Sequence, residues 1–300
     1  MRVFVIGAQG QLARALSSQP TSAAEVIAIG RPDVDIRDPD AIATAIARLE
    51  PSIVINVAAF TAVDQAETNP DEAFAINAEG AGTVAKCCHI AGVPLIHIST
   101  DYVFDRANER AYVEEDPVAP INTYGRSKLE GERLVSQHCA RHLIIRTSWV
   151  FSPFGHNFFT TMLRLADTRK QLRVVDDQVG CPTYAPHLAE GLLKLASHIC
   201  DQPIEAPFWG LYHLAASGST SWYGLARAIF ASVEKRGGMH PVVEAICTAE
   251  YPTPARRPMN SQLDCSKIQA QFGIGLPHWI DGTDECVGRI LSGHSRQKSL

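Results

Sequence analysis

Five short runs of apolar residues recur in the first half of the chain, and each is followed by a stretch predicted to be helical. The runs are Val3–Ile6, Glu25–Ile29, Ile53–Val57, Pro94–Ser99 and His142–Thr147. None of them alternates apolar with polar residues, which is typical of strands that are covered on both faces. Strands that alternate with helices favour a parallel sheet joined by right-handed crossovers. The sequence therefore predicts an α/β fold built on a parallel sheet.

The composition narrows the class of protein. The 300 residues, of which 46% are hydrophobic and 20% charged, suffice for one large or two modest domains. A net charge of -5 argues against nucleic acid or an anionic membrane as a partner. No apolar run approaches the ~20 residues of a transmembrane helix, and the first strand is too short for a signal peptide. The eight cysteines lack metal-site or paired spacing and indicate reduced thiols in the cytoplasm.

A glycine turn follows the first strand. Gly7 and Gly10 stand in a G-x-x-G-x-x-A pattern that opens the next helix. Glycines let the backbone turn tightly and approach a pyrophosphate, and a helix N-terminus offers N–H donors to it. This context predicts a dinucleotide site, although an ordinary strand–helix turn has the same pattern.

The end of the second strand bears on the choice of dinucleotide. In a nucleotide-binding fold this end meets the adenosine ribose, where a carboxylate favours the 2′-hydroxyl of NAD. Here Gly30 stands where an acid would sit, and Arg31 follows it. Because a guanidinium suits a 2′-phosphate, we predict NADPH, with NADH as the alternative and a solvated Arg31 as the plain interpretation.

A tyrosine and a lysine one helical turn apart provide the candidate proton donor. Tyr124 and Lys128 share a helix face, and Thr100 lies upstream at the end of the fourth strand. A fixed ammonium beside a phenol is expected to lower the pKa of the phenol toward neutrality. Such a pair is also common on helix surfaces, so the site depends on the strand end and the glycine turn being nearby.

After Thr147 the regular alternation of predicted strands and helices ends. We place a dinucleotide-binding domain at residues 1–148 and most of a substrate-binding domain at 149–300, with a strand near 211–214 returning to the first domain. Predicted helices cover 71–91, 158–167, 186–197 and 222–234, and a strand covers 172–175. The proline-rich segment Tyr251–Pro258 is predicted to be a rigid surface loop or lid.

Seven ordered segments together resemble the extended short-chain dehydrogenase/reductase family, in particular its reductases of dTDP-linked 4-keto sugars. They are Gly7–Gln11, Asn56–Asp64, Ser99–Phe104, Tyr124–Lys128, Arg146–Val150, Asp177–Thr183 and Tyr251–Pro258. The resemblance implies a Rossmann-type doubly wound parallel sheet with a smaller, interleaved C-terminal substrate-binding domain. It also implies NADPH-dependent reduction of the C4 keto group of dTDP-4-dehydro-6-deoxy-L-mannose, a nucleotide-sugar substrate.

The same resemblance implies roles for further residues. Those expected at the cofactor are Gly10, Gln11 and Leu12 at the phosphates, Asp35 and Ile36 at the adenine, and Ala59, Phe60 and Thr61 at the nicotinamide. Those expected at the reaction and the substrate are Tyr124 as proton donor, Lys128 at the nicotinamide ribose, Thr100, Asp101 and Trp149 at the sugar, and Arg257 at the diphosphate. A core aromatic at Trp149 and a surface charge at Arg257 remain alternatives.

The sequence departs from magnesium-dependent relatives at two positions. In those relatives, carboxylates at two positions hold Mg²⁺ at a dimer contact. The matching positions in this chain are Ala15 and Pro186, and neither side chain can bind a metal. We therefore predict no metal site, doubtful use of Mg²⁺, and a monomer or weak homodimer.

Two other functions stay open. The first is a sugar-nucleotide 4,6-dehydratase of the same family, whose chemistry is associated with a Thr-Asp-Glu triplet after the fourth strand. In this chain Tyr102 occupies the third position of that triplet. A non-catalytic dinucleotide-binding relative, the regulatory subunit of methionine adenosyltransferase, is disfavoured by the intact Tyr124, Lys128 and Thr100.

Overall fold

The computed structural model describes residues 1–20, 24–104 and 109–297. Its strands are β1 (Arg2–Ile6), β2 (Glu25–Ile29), β3 (Ile53–Asn56), β4 (Leu95–Thr100), β5 (His142–Thr147), β6 (Val150–Phe151), β7 (Gln171–Val175), β8 (Val179–Gly180), β9 (Thr183–Tyr184), β10 (Gly210–His213), β11 (Ala216–Ser217), β12 (Thr220–Ser221), β13 (Val242–Ile246), β14 (Asn260–Ser261) and β15 (Leu276–His278). Its α-helices are α1 (Gln11–Ser17), α2 (Pro39–Leu49), α3 (Val63–Thr68), α4 (Pro70–Phe74), α5 (Ala81–Ile90), α6 (Thr123–His138), α7 (Phe158–Ala166), α8 (Ala185–Ile199), α9 (Trp222–Glu234), α10 (Ser266–Phe272) and α11 (Trp279–Gln297).

The largest sheet in these ranges has six strands in the order β10–β5–β4–β3–β1–β2. All of its neighbouring pairs are parallel. The strand order reverses between β1 and β3, and ligands of open α/β sheets bind at such a point, beyond the carboxyl ends of the strands. The Rossmann-type doubly wound sheet predicted from the sequence is confirmed.

Both faces of this sheet are buried, which explains why its strands do not alternate. Val3 and Val5 of β1 pack toward α1 and α8, whereas Phe4 and Ile6 pack toward α2, α5 and α6. A strand between two helical layers needs apolar side chains in both directions. The two layers leave the carboxyl edge of the sheet as the place where polar side chains can collect.

β10 pairs in parallel with β5, so the chain comes back to this sheet from its second half. A separate apolar core joins α7, α9 and α11 to the parallel pair formed by β7 and β13. The domain boundary at residue 148 remains a prediction. Over the described ranges, no helix combines the length and apolar character needed to cross a membrane.

The helix predicted over 71–91 is present as a continuous helical run, but it is not regular throughout. Between α4 and α5 the chain forms a π-helical turn (Ala75–Gly80), which was not predicted. Pro70 begins α4 and disfavours helical backbone at Asn69, which has φ -129° and ψ 57°. The wide π turn directs Asn77 into the interior, where it is buried. The 19-residue α11 was not predicted from the sequence.

Candidate active site

A large cleft opens at the carboxyl edge of the main sheet. It has a volume of about 1310 Å³, larger than the ~300–1,000 Å³ of most small-molecule pockets, and therefore has room for two ligands. Every site residue predicted from the sequence lines it. They are Gly7, Gly10, Gln11, Leu12, Arg31, Asp35, Ile36, Ala59, Phe60, Thr61, Thr100, Asp101, Tyr124, Lys128, Trp149 and Arg257. The fold thus brings them together, and their individual roles remain predictions.

The glycines at the floor of the cleft are required by close backbone contacts. Gly7 has φ +112°, and a Cβ on it would lie 3.0 Å from the backbone nitrogen of Ala58. A Cβ on Gly30 would lie 2.8 Å from the backbone nitrogen of Ala8. The turn after β1 and the end of β2 therefore approach too closely for any larger residue. This packing explains why glycine, and no carboxylate, follows β2.

Gln11 is the first residue of α1, and its side chain contacts residues that lie far away along the chain. Its Oε1 accepts hydrogen bonds from Ser152 Oγ at 2.9 Å and from Asn157 Nδ2 at 2.7 Å. Gly10, the N-cap of the same helix, makes no side-chain cap. The Gln11 side chain thus ties the glycine turn to the segment between β6 and α7, while the first N–H groups of α1 remain uncapped by side chains.

The two charged residues expected at the adenosine end differ in their surroundings. Asp35 forms an ion pair with Arg37, with 2.6 Å between Asp35 Oδ2 and Arg37 Nη2. This pair and its hydrogen bonds lower the pKa of Asp35 to about 2. Arg31 is exposed on the rim of the cleft. A cation at this position can meet an anionic ligand.

The predicted proton donor lies at the centre of the cleft. Tyr124 is in the first turn of α6, whose N-cap Asn122 accepts a hydrogen bond from Gly125 N at 2.7 Å. The rings of Tyr102 and Tyr124 meet edge to face with centroids 5.7 Å apart. Thr100 Oγ1 donates to Asp101 Oδ1 at 2.9 Å. These contacts hold the phenol and the threonine hydroxyl beside each other at the end of β4.

The predicted lowering of the Tyr124 pKa is wrong in this structure. Burial raises the pKa of Tyr124 to about 12, and a hydrogen bond with Thr100 opposes the rise only in part. Lys128 directs its Nζ instead to the carbonyl oxygen of Ile98, at 2.7 Å. Burial also lowers the pKa of Lys128 to about 8. At neutral pH the phenol therefore retains the proton that a general acid must donate.

Two buried asparagines near the tyrosine were not singled out from the sequence. Asn77 accepts from Phe60 N at 2.8 Å, donates to Phe60 O at 3.1 Å, and donates to Ser127 Oγ at 2.9 Å. Asn56 accepts from Ala58 N at 3.1 Å and contacts the imidazole of His97. Together they fix the loop after β3. A lone polar residue in an apolar strand, as in Ile53–Asn56, was the signal that could have indicated Asn56, whereas Asn77 lies in the π turn and had no such signal.

A buried ion pair anchors the helix that carries Tyr124. Glu132 of α6 receives a bidentate pair of hydrogen bonds from Arg146 of β5, at 2.9 and 2.7 Å. Ser99 of β4 donates to the same carboxylate. Only 4% of the Arg146 side chain and 7% of the Glu132 side chain are exposed, so each charge depends on its partner. The pair holds α6 in register with β4 and β5.

Asp101 is a buried carboxylate in the wall of the cleft. Burial raises its pKa to about 6, although the hydroxyls of Ser261, Thr100 and Ser148 favour the charged form. The side chain is thus poised to change protonation state in the neutral range. This property could not be read from the Ser-Thr-Asp-Tyr sequence.

The far wall of the cleft is aromatic on one side and charged on the other. Trp149, with φ +46°, stacks on Trp222 with ring centroids 3.5 Å apart. Arg257 forms a bidentate pair with Asp64, at 2.8 and 3.1 Å, and Ala255 N donates to the same carboxylate. The proline-rich loop is therefore attached to α3 in this state.

The two positions compared with magnesium-dependent relatives offer no carboxylate and differ in burial. Ala15 is fully buried in α1, and Pro186 lies in the first turn of α8, where its carbonyl accepts from Gln19 Nε2 at 2.8 Å. Within the described residues, no group of three or more His, Cys, Asp or Glu side chains is arranged to hold a metal.

Comparison with known proteins gives one consistent family. The chain matches the family model of the RmlD substrate binding domain over residues 1–292. A dTDP-4-dehydrorhamnose reductase of Sinorhizobium fredii is 45% identical over 291 residues, which covers 97% of this chain and 98% of the relative. A crystal structure of a dTDP-4-dehydrorhamnose reductase from Clostridium acetobutylicum has a TM-score of 0.89 at 34% identity and covers 97% and 100% of the two chains. The dTDP-4-dehydrorhamnose reductase of Bacillus anthracis in complex with NADP has a TM-score of 0.87 at 34% identity, with 95% and 98% covered.

Proposed function

The chain belongs to the RmlD substrate-binding-domain family, and from this premise we propose that it is an NADPH-dependent oxidoreductase of nucleotide sugars. It reduces the C4 keto group of dTDP-4-dehydrorhamnose to give dTDP-L-rhamnose. The observation that carries this function is the meeting of Thr100, Tyr124 and Lys128 in the cleft that the glycine turn also enters.

The residues around the glycine turn fit a dinucleotide. A Cβ on Gly10 would meet nothing within 4 Å, so space is open beside the uncapped start of α1. Gly10, Gln11 and Leu12 hold the phosphates there, and the exposed Arg31 holds the 2′-phosphate that distinguishes NADPH. Ala59, Phe60 and Thr61 line the nicotinamide side. When bound, NADPH supplies the hydride that reduces the keto carbon.

Tyr124 supplies the proton. As negative charge develops on the C4 oxygen, the phenol gives its proton to that oxygen. The Thr100 hydroxyl donates a hydrogen bond to the same atom and stabilises the developing charge. The Lys128 ammonium stabilises the phenolate that remains and binds the nicotinamide ribose. Because Thr100 and Lys128 are buried and Tyr124 is partly buried, these interactions act in a medium of low polarity, where they are stronger than in water.

The opposite wall holds the nucleotide sugar. Asp101 and Trp149 contact the sugar, and Trp222 supports the indole of Trp149 from behind. Arg257 binds the diphosphate, because a guanidinium matches phosphate oxygens with two parallel hydrogen bonds. For this contact the diphosphate replaces the Asp64 carboxylate that Arg257 binds in this structure.

The alternatives fit the cleft less well. A dehydratase needs a carboxyl group where Tyr102 stands, and burial raises the pKa of that phenol further above its ordinary value. A regulatory subunit has no use for an intact Thr100, Tyr124 and Lys128. We further propose a cytoplasmic enzyme that is monomeric or a weak homodimer, in keeping with its free cysteines.

Incubation of the purified protein with NADPH and dTDP-4-dehydrorhamnose tests this function. We expect NADPH oxidation matched by formation of dTDP-L-rhamnose, identified by NMR of the product. Binding of NADPH without its oxidation by the keto sugar would instead favour the regulatory subunit. Loss of water from dTDP-glucose without net NADPH consumption would favour the dehydratase.

A further inference from the structure

A buried polar chain connects the loop after β3 to Lys128. Asn56 and His97 are neighbours in the registered strands β3 and β4. Asn56 Nδ2 lies 3.2 Å from His97 Nδ1, and His97 Nε2 lies 3.4 Å from Lys128 Nζ. All three side chains are at most 2% exposed. Neither Asn56 nor His97 is among the residues that line the cleft.

The hydrogen bonds determine which imidazole nitrogen carries the proton. Ala58 N donates to Asn56 Oδ1, so the amide nitrogen of Asn56 faces His97. An amide nitrogen can only donate, and His97 Nδ1 must therefore accept. The proton of the neutral imidazole then lies on Nε2, the nitrogen that faces Lys128. His97 is neutral because burial and the nearby Lys128 hold its pKa well below the ordinary value.

This assignment gives Lys128 an unusual neighbour. An ammonium has only donors, so it gains no hydrogen bond from an imidazole N–H. A neutral amine has a lone pair that can accept one. We infer that His97, oriented by Asn56, is a positioning residue that favours the neutral form of Lys128 and so sets the alkaline limit of the reduction. The inference rests on the proposed function for its kinetic consequence, but the tautomer does not depend on it.

Other groups around Lys128 act on it differently. Glu132, one turn further along α6, raises the pKa of Lys128, but its carboxylate is already engaged by Arg146 of β5. Tyr124 lies on the same helix face, and burial raises its pKa to about 12. Its phenol is therefore neutral at pH values near the pKa of Lys128. Of the charged and titratable groups on the packed elements, His97 is the one that presents an N–H to Nζ.

The tautomer can be measured without any turnover. We would record long-range ¹H–¹⁵N correlation spectra of the full chain labelled with ¹⁵N-histidine, and identify the His97 signals by their absence from His97→Gln. We expect an unprotonated Nδ1, a protonated Nε2, and no titration between about pH 5 and 8. A protonated Nδ1, or a His97 that titrates in this range, would overturn the inference even if the reductase activity is confirmed.

The kinetic consequence is tested with the pH profile of kcat. In the wild type we expect the rate to fall as Lys128 loses its proton, and Lys128→Arg should abolish this fall. A glutamine at 97 can turn its amide oxygen toward the ammonium, so His97→Gln should move the alkaline limb up by about 0.5–1 pH unit, the scale of one hydrogen bond. The matched control is His142→Gln, a buried histidine of β5 that binds the carbonyl oxygen of Cys139.

A second variant keeps the inference testable if His97→Gln does not fold. Asn56→Asp is isosteric and replaces the donor that faces Nδ1 with an acceptor. The imidazole proton should then move to Nδ1, leaving Nε2 to accept from the ammonium, and the limb should again move to higher pH. An unchanged limb in the folded variant, or an equal shift in His142→Gln, would show that His97 has only a packing role.

Discussion

Replacement of Asp101 by asparagine should make the protein more stable above neutral pH. The carboxyl group is buried, and its pKa rises from 3.8 to about 6 on folding. Because the folded state has the higher pKa, it binds more protons than the unfolded state between these two values. Stability contributed by the protonated form is complete below the unfolded pKa and is lost as pH rises through about 6.

The size of the effect follows from the difference of about two pKa units. At about 1.4 kcal/mol per unit, the ionised carboxylate costs about 3 kcal/mol of unfolding free energy at pH 8. At about pH 5 the cost is roughly half as large, because the folded state is still mostly protonated. The Asp101→Asn variant never bears this cost, and its amide oxygen can still accept from Thr100. Its stability relative to the wild type should therefore rise by about 1.5 kcal/mol between these pH values.

Urea unfolding followed by circular dichroism measures this difference, provided that the two proteins have equal m-values. Asp284→Asn is the matched control, because the ion pair with Arg236 lowers the pKa of Asp284. That pair contributes stability above the unfolded pKa and loses it as pH falls, so the control should not gain stability with rising pH. A constant difference between Asp101→Asn and the wild type from about pH 5 to 8 would refute the reasoning.

Three further predictions concern the reaction and the assembly. Tyr124→Phe should bind NADPH normally but lose about 10²–10⁴-fold in turnover, the usual contribution of a positioned acid, and near-normal turnover would mean that the proton has another source. The wild type should prefer NADPH to NADH in kcat/KM, and Arg31→Ala should reduce that preference; equal use of both by the wild type would contradict the role of Arg31. Because Ala15 and Pro186 cannot ligate Mg²⁺, light scattering should give the same mass in excess EDTA and in millimolar Mg²⁺, and a metal-dependent dimer would show that other ligands serve.

Local sequence patterns correctly predicted the elements whose conformation depends mainly on their own residues. The helix predicted over 222–234 has the observed bounds, and Ser221 caps its N-terminus by accepting a hydrogen bond from Gly224 N. The unalternating strands predicted a sheet buried on both faces, which the packing of Val3 and Phe4 toward opposite layers confirms. These features depend on side-chain periodicity and helix capping, and both can be recognised from residues that are close together in the sequence.

Breaks in local structure were harder to predict. A helical pattern over 71–91 did not reveal the π turn, because the reason for that turn is a distant contact. Asn77 there binds both Phe60 and Ser127, which lie 17 and 50 residues away along the chain. Tertiary hydrogen bonds of this kind can override the preference of a segment for regular helix.

The sequence alone determined which side chains meet at the cleft, because motifs at the carboxyl ends of parallel strands must converge at one edge of the sheet. Tertiary structure decided their electrostatics. The Tyr124–Lys128 spacing suggested a lowered phenol pKa, but burial raises it, and Lys128 instead contacts Ile98 and His97. The pKa of a group depends on how far the surrounding elements exclude water from it and on which interaction partners they provide. The spacing of two residues along one helix predicts neither its burial nor these partners.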